Sequence, residues 1–178
     1  MSTHKDRSPT KQEQRLMRRY PETDTFLWRN VNPKGHITDD CLMRAIAGAS
    51  GMSWYDVFDG LRAVMRATAR VDKTALRKYL TQEGWTIRKQ PRKEDGTKYT
   101  GAQFCKWLSI NYPNGELGNI IADIGGHHIV CIMPTEHGDG IKCRYKVIDT
   151  WNSTGRCIGS WWTHGRVDLS PFNRRKGI

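Results

Sequence analysis

The sequence lacks several features that would assign the protein to well-defined classes. No run approaches the roughly 18 consecutive apolar residues of a membrane-spanning helix, and the first twenty residues hold no apolar stretch for export. We therefore expect no membrane association and a cytoplasmic location. The five cysteines include no CxxC pair, so neither a disulfide framework nor a zinc knuckle is indicated. No metal and no other cofactor is expected.

Acidic residues are also few, with 18 Asp and Glu against 29 Lys and Arg, which gives a formal net charge of +11. Much of the positive charge lies in residues 5–19, 88–98 and 174–176. The basic termini therefore favour nonspecific contact with nucleic acid, although no recognised nucleic-acid-binding motif accompanies them. Of the seven tryptophans, Trp161 and Trp162 are the best candidates for exposed aromatic side chains beside cations. A nucleic-acid-binding or partner-binding protein is thus an alternative function class.

The chain length suits one domain between two basic ends. Residues 1–22 are charged and lack a periodic apolar pattern, which predicts a flexible N-terminal arm with room for one short helix over residues 12–19. Residues 23–170 form the predicted domain, and residues 171–178 form a basic tail. Oligomeric state is not indicated by any of these features.

Apolar periodicity predicts a change of secondary structure along the domain. Capping residues and apolar spacing indicate four helices, which begin near residues 41, 54, 73 and 101. Short β-rich runs follow at residues 117–121, 127–133, 144–148 and 157–162, after an earlier short strand at 85–87 and an extended segment at 26–31. This order predicts an α+β fold in which an N-terminal helical part packs on a C-terminal antiparallel sheet.

Cys41 is expected to lie in the first turn of the helix that begins there, after Asp39 and Asp40, either of which could cap it. A helix N-terminus stabilises a thiolate through its partial positive charge and free N–H groups. The same N–H groups can stabilise the oxyanion formed when an acyl carbonyl is attacked. Cys41 is therefore the candidate nucleophile.

Two further segments contain the side chains that such a thiol needs. His127 and His128 enter a hydrophobic strand, where an imidazole can be held rigidly. Asp149 ends a later strand and is followed by Trp151, so its carboxylate could orient the imidazole while the indole shields their hydrogen bond from water. Strand alternation places the two histidines on opposite faces, so only one of them can meet Cys41.

These segments resemble a known family, the phage and bacterial papain-like cysteine peptidases related to the bacteriocin leader-processing (double-glycine) peptidases. The similar segments are residues 40–57, 126–132 and 148–152, and the resemblance spans roughly residues 28–162. It implies a papain-like fold and a Cys-His-Asp triad of Cys41, His128 and Asp149, with Trp151, Asp40 and Asn152 in support. The implied substrate is a protein or peptide, cleaved through an acyl-enzyme, and the implied setting is a phage protein in the host cytoplasm.

The sequence departs from the family pattern in two places. The family usually has one histidine at the strand entry, and alignment of the following residues favours His128 while His127 stays an alternative base. Papain-like enzymes have a glutamine six residues before the nucleophile that stabilises the oxyanion, and here that position is Gly35. The Cys41 backbone N–H is the expected donor, with Thr38, Asn32 and the backbone of residues 39–40 as further candidates. A catalytically inactive papain-like scaffold is the alternative within this fold.

Overall fold

The computed structural model describes residues 7–70, 72–136 and 143–170. These residues form a mixed α+β structure, and the expected basic tail at 171–178 lies outside them. The helices are α1 (Lys11–Arg19), α2 (Cys41–Ser50), α3 (Trp54–Thr68), α4 (Lys73–Gln82) and α5 (Gly101–Asn111). The strands are β1 (Phe26–Trp28), β2 (Trp85–Arg88), β3 (Ile120–Ile124), β4 (His128–Glu136), β5 (Cys143–Asp149) and β6 (Ile158–His164).

The six strands form one sheet in the order β1-β5-β4-β3-β6-β2, with helices on both faces. Alternate residues of each strand point to opposite faces, so one face buries Ile121, Cys131 and Ile148 while the other buries Ile120, Ile132 and Val147. The first face packs against α2, α3 and α4, and the second packs against α5. Helix α2 lies mainly on β4, near the middle of the sheet.

The sheet differs from the expected antiparallel one because β1 pairs with β5 in parallel. The register places Trp28 beside Asp149, and the N–H of Arg29 donates to the Asp149 carbonyl at 3.0 Å. The Trp28 indole N–H also donates to the Thr150 carbonyl at 2.9 Å. Parallel pairing needs a long connection, which the rest of the chain supplies, and its effect is to fix the end of β5.

Trp161 and Trp162, the best candidates for exposed aromatic side chains, are buried in the structure. They are 2% and 3% exposed, and as neighbours on β6 they point into the two opposite cores. An aromatic pair adjacent in a strand covered on both faces is buried on both sides. The nucleic-acid-binding alternative therefore loses the aromatic platform that the sequence had offered it.

The described part of the N-terminal segment contains the short helix that the sequence allowed there. Helix α1 begins with a capping box in which Thr10 and Glu13 exchange hydrogen bonds. Glu13 is 1% exposed, and its carboxylate accepts hydrogen bonds from Arg7 at 2.6 Å and from Asn30 at 2.9 Å. A buried and fully partnered carboxylate thus anchors α1 to the segment that precedes Cys41, a contact that an apolar pattern cannot reveal.

This anchor predicts a pH-dependent contribution to stability. Burial acts to raise the pKa of Glu13, but the hydrogen bonds from Arg7, Thr10 and Asn30 together outweigh it and lower this pKa to about 2. A lowered carboxyl pKa stabilises the fold above the pKa of the unfolded chain and loses that effect as pH falls through the folded pKa. We expect Glu13→Gln to lower the free energy of unfolding by roughly 1–3 kcal/mol at pH 7. Urea unfolding should show this difference shrinking between pH 5 and pH 2; an equal difference at both ends would contradict the role of the charge.

No helix in the described part of the chain is both long and apolar enough to cross a membrane.

Candidate active site

Cys41 is the first residue of α2 and so lies in its first turn, as the sequence predicts, but the helix is not capped in the expected way. Asp40 occupies the N-cap position, and its side chain makes no capping hydrogen bond. Its carboxylate is instead paired with Arg44, so it cannot turn to the helix N–H groups. The first N–H groups of a helix have no intrahelical acceptor. Those of α2 are therefore left without a side-chain cap at the position of the thiol.

His128 is brought to Cys41 by the turn between β3 and β4. Gly125 and Gly126 have φ angles of +66° and +87°, in the left-handed region that favours glycine. This turn pairs Ile124 with His128, which makes His128 the first residue of β4. The His128 imidazole lies close enough to the Cys41 thiol for each group to shift the pKa of the other, and its Nε2 lies 2.6 Å from Asp149 Oδ2. Nδ1 is thus the ring nitrogen left for Cys41.

Asp149 ends β5 and is held by more than its contact with His128. Its carboxylate accepts a hydrogen bond from the Thr150 backbone N–H at 2.7 Å and from the Ser153 hydroxyl at 2.9 Å. The residue is 5% exposed. A buried carboxylate with three partners has little freedom to rotate, so the direction in which it holds the His128 ring is fixed.

The electrostatics of this group favour a charged cysteine and a charged histidine. Burial acts to raise the pKa of Cys41, but hydrogen bonds from His128 and from the Ile129 backbone outweigh it and leave this pKa below its ordinary value. Burial acts to lower the pKa of His128, but its hydrogen bonds to Asp149 and Cys41 outweigh it and raise this pKa to about 9. The arrangement therefore stabilises a thiolate–imidazolium pair between these two pKa values.

The remaining predicted residues divide into those beside this group and those outside it. The ring centroids of Trp151 and His128 are 5.2 Å apart, and the Arg156 guanidinium lies 5.5 Å from the Trp151 ring. His127 is exposed, and the structure brings it to neither Cys41 nor Asp149. Asn152 accepts hydrogen bonds from the backbone and hydroxyl of Thr154, so it acts as a turn residue.

The candidates for oxyanion donors are also separated by the structure. Asn32 is buried and directs its amide nitrogen to Asp40 at 2.6 Å, whereas Thr38 is exposed. Gly35 packs against the N-terminal segment, where an added Cβ would lie only 2.9 Å from Thr10. A glutamine there would therefore collide with that segment. The backbone N–H of Cys41, at the N-terminus of α2, therefore remains the expected hydrogen-bond donor to the oxyanion.

Sequence reasoning did not single out Arg44 or Ser153. Arg44 lies three residues after Cys41, so the two side chains project from neighbouring positions of α2. The signal that could have found it is an arginine among the apolar residues of this helix. Ser153 lies four residues after Asp149 in a turn, and nothing in its local sequence indicates that contact.

A small cavity lies between α2 and the sheet beside the thiol. It is lined by Cys41 and Arg44 from α2, by Ile129 and Asp149 from the ends of β4 and β5, and by Arg29 after β1, together with Val31, Ala45, Gly48, Val130 and Ile148. The cavity shows where the helical layer and the sheet meet around the thiol.

The other cysteines have different surroundings. Cys105 and Cys131 are buried, and burial raises the pKa of each thiol well above its ordinary value. Cys143 is half-buried and Cys157 is exposed. Across the described residues, no group of three or more His, Cys, Asp or Glu side chains is arranged to hold a metal ion. Cys41 is thus set apart from the other thiols by its imidazole partner.

Comparison of the chain with known protein-family models, with curated protein sequences and with solved structures finds no match.

Proposed function

We propose that the chain is a cysteine hydrolase of papain-like type that cleaves peptide, isopeptide or related amide bonds. The observation that carries this proposal is the position of His128, in contact with Asp149 and close enough to Cys41 to act on its pKa, at the uncapped N-terminus of α2. A thiol needs a base to become a nucleophile, the base needs a group that orients it, and the oxyanion needs N–H donors. All three requirements have a candidate within this one group of side chains.

In this proposal, His128 holds the Cys41 proton, and the thiolate attacks the carbonyl carbon of the scissile bond. The tetrahedral oxyanion accepts hydrogen bonds from N–H groups at the start of α2. His128 then gives its proton to the leaving amine, which leaves a thioester on Cys41. Water, deprotonated by His128, attacks this thioester and regenerates the thiol. Asp149 stabilises the imidazolium in both steps, and Trp151 covers one side of the ring.

The architecture, in addition to the site, supports a papain-like assignment. A helix that begins with the cysteine packs on a sheet whose later strands supply the histidine and then the aspartate, in that order along the chain. An aromatic ring lies against the histidine, on the residue two positions after the aspartate. Fold alone does not establish activity, so the proposal depends on the chemistry of Cys41.

Because the natural substrate is unidentified, the first test uses p-nitrophenyl acetate, an activated acyl donor that a nucleophilic thiol accepts without a binding pocket. We expect a burst of p-nitrophenolate, followed by slower steady turnover as water releases the acetyl group. Mass spectrometry after rapid acid quenching should find the acetyl group on Cys41. Acetylation spread evenly over the exposed thiols would overturn the proposal, and acetylation of Cys41 without any turnover would overturn hydrolysis and favour the inactive scaffold.

A further inference from the structure

A buried ion pair lies on α2 directly beside the candidate nucleophile. The Asp40 and Arg44 side chains are only 6% and 8% exposed and are four residues apart on one helix face. Removing two charges from water is expensive, and apolar residues of similar volume commonly give equal or greater stability. This pair lies on either side of Cys41 in sequence, which points to a role in the site in addition to packing.

Asp40 is the reason that a cation is needed here. Its carboxylate accepts hydrogen bonds from the Asn32 amide at 2.6 Å and from the Trp54 indole at 3.1 Å, in addition to its contact with Arg44. These bonds tie the start of α2 to the preceding loop and to α3. A carboxylate immediately before Cys41 would also repel a thiolate unless a cation neutralised it.

Arg44 connects this pair to the other side of the site. Its second guanidinium nitrogen lies 3.3 Å from the Thr150 hydroxyl, and the Thr150 backbone N–H donates to Asp149 at 2.7 Å. Arg44 also lines the small cavity together with Cys41 and Asp149. One buried guanidinium is therefore placed between Asp40, the end of β5 and the thiol.

We propose that Arg44 is a positioning residue of the Cys41 site, which neutralises Asp40 beside the nucleophile and links the start of α2 to the end of β5. This inference rests on the proposed function, since it assigns Arg44 a role in keeping Cys41 reactive. Arg44 contacts Asp40 and Thr150. It acts on Cys41 through its positive charge and through these two contacts. The charged groups around Cys41 are His128 on β4 and Asp149 on β5, which act on its pKa, and Arg44 and Arg29, which line the same cavity. Asp40, the residue before α2, is paired with Arg44.

The test is the rate at which iodoacetamide alkylates Cys41, measured by mass spectrometry against pH. Arg44→Met leaves Asp40 uncompensated, and we expect the midpoint of the profile to rise by about one pH unit and the rate at pH 6 to fall about tenfold. Asp40→Asn removes the anion and keeps the cation, so its midpoint should not rise above that of the wild type. The double variant Asp40→Asn/Arg44→Met should return to within about 0.3 pH unit of the wild type, because both charges are gone.

Two further variants separate charge from structure. Arg44→Lys keeps the positive charge without the planar guanidinium, and we expect it to retain most of the low midpoint. Leu108→Ala removes a fully buried side chain on α5, on the opposite face of the sheet. It should lower stability in urea unfolding and leave the Cys41 midpoint unchanged.

The outcomes distinguish this inference from the proposed function. If Arg44→Met has the wild-type profile, or if Arg44→Met and Asp40→Asn shift it in the same direction, the inference is wrong while a low wild-type midpoint still supports the hydrolase. If Arg44→Met does not fold, the Asp40→Asn and double-variant profiles still decide it, since a midpoint raised in either one contradicts the charge argument. If wild-type Cys41 reacts as an ordinary thiol, the proposed function itself fails.

Discussion

Replacement of Cys41 by alanine is expected to reduce the turnover of p-nitrophenyl acetate at pH 7 by at least about a hundredfold, because the acyl-enzyme can no longer form. The burst of p-nitrophenolate should disappear together with the steady rate. The initial rate and the burst amplitude, both followed by absorbance, measure this loss. The alanine side chain leaves the half-buried site without a new polar group, so the fold should be retained.

The matched control is Cys157→Ala, which removes the exposed thiol and leaves the Cys41 surroundings intact. This variant should keep the wild-type burst and turnover. Equal losses in the two variants would mean that the reaction reports general thiol reactivity. Full activity in Cys41→Ala would assign the turnover to another group and remove Cys41 from the mechanism.

The two adjacent histidines give the second large expected difference. His128→Ala should slow alkylation of Cys41 at pH 6 at least about tenfold, because the thiolate loses its hydrogen-bond and ion-pair partner and its pKa returns towards that of an ordinary thiol. His127→Ala should change the rate less than about twofold, since that side chain is exposed and lies in the turn before β4. Iodoacetamide labelling with identification of the modified peptide measures both rates.

The adjacency of the two residues makes each variant a control for the other. Both remove an imidazole from adjacent positions where the turn enters β4, so a nonspecific effect on this segment would appear in both. Equal slowing in the two variants would therefore point to a structural cause, and a larger effect of His127→Ala would exchange their roles. The thermal unfolding midpoint of each variant should accompany the rates.

Local signals in the sequence predicted the helices well. The capping pairs Ser53–Asp56 and Thr100–Gln103 are present at the starts of α3 and α5, and Asp72 caps α4. Each of these signals concerns residues within one turn of each other, where spacing alone determines which groups meet. The position of Cys41 at the start of α2 follows from the same kind of local pattern.

Contacts between distant segments were not predictable in the same way. The parallel pairing of β1 with β5 depends on a three-residue strand joining an edge that the sequence does not mark. The strand expected at residues 117–121 begins instead at Ile120, as β3, after Gly115 and Gly118, which both have positive φ angles. Turn glycines set this boundary, and alternation of apolar residues did not reveal it.

The candidate site combines residues that local patterns predicted with a contact that they did not. Motif order indicated Cys41, His128 and Asp149, whose side chains the structure brings together, with His128 bonded to Asp149 and acting on the pKa of Cys41. The partner of Asp40 was misjudged because an aspartate before a helix is usually a cap. Here a buried arginine one turn later competes for the same carboxylate, and only the packed structure determines which contact forms.

The most direct test of the central claim is the alkylation rate of Cys41 in the wild-type protein as a function of pH, with Cys157 of the same chain as the internal reference. At pH 6 an ordinary thiol with a pKa of ~8.5 is only about one part in three hundred ionised, whereas a Cys41 paired with His128 should be labelled at least about tenfold faster. The account predicts that the midpoint of the Cys41 alkylation profile lies clearly below the ~8.5 of an ordinary thiol and that Cys41 is labelled before Cys157. A Cys41 that reacts no faster than Cys157, with an ordinary midpoint, would contradict it.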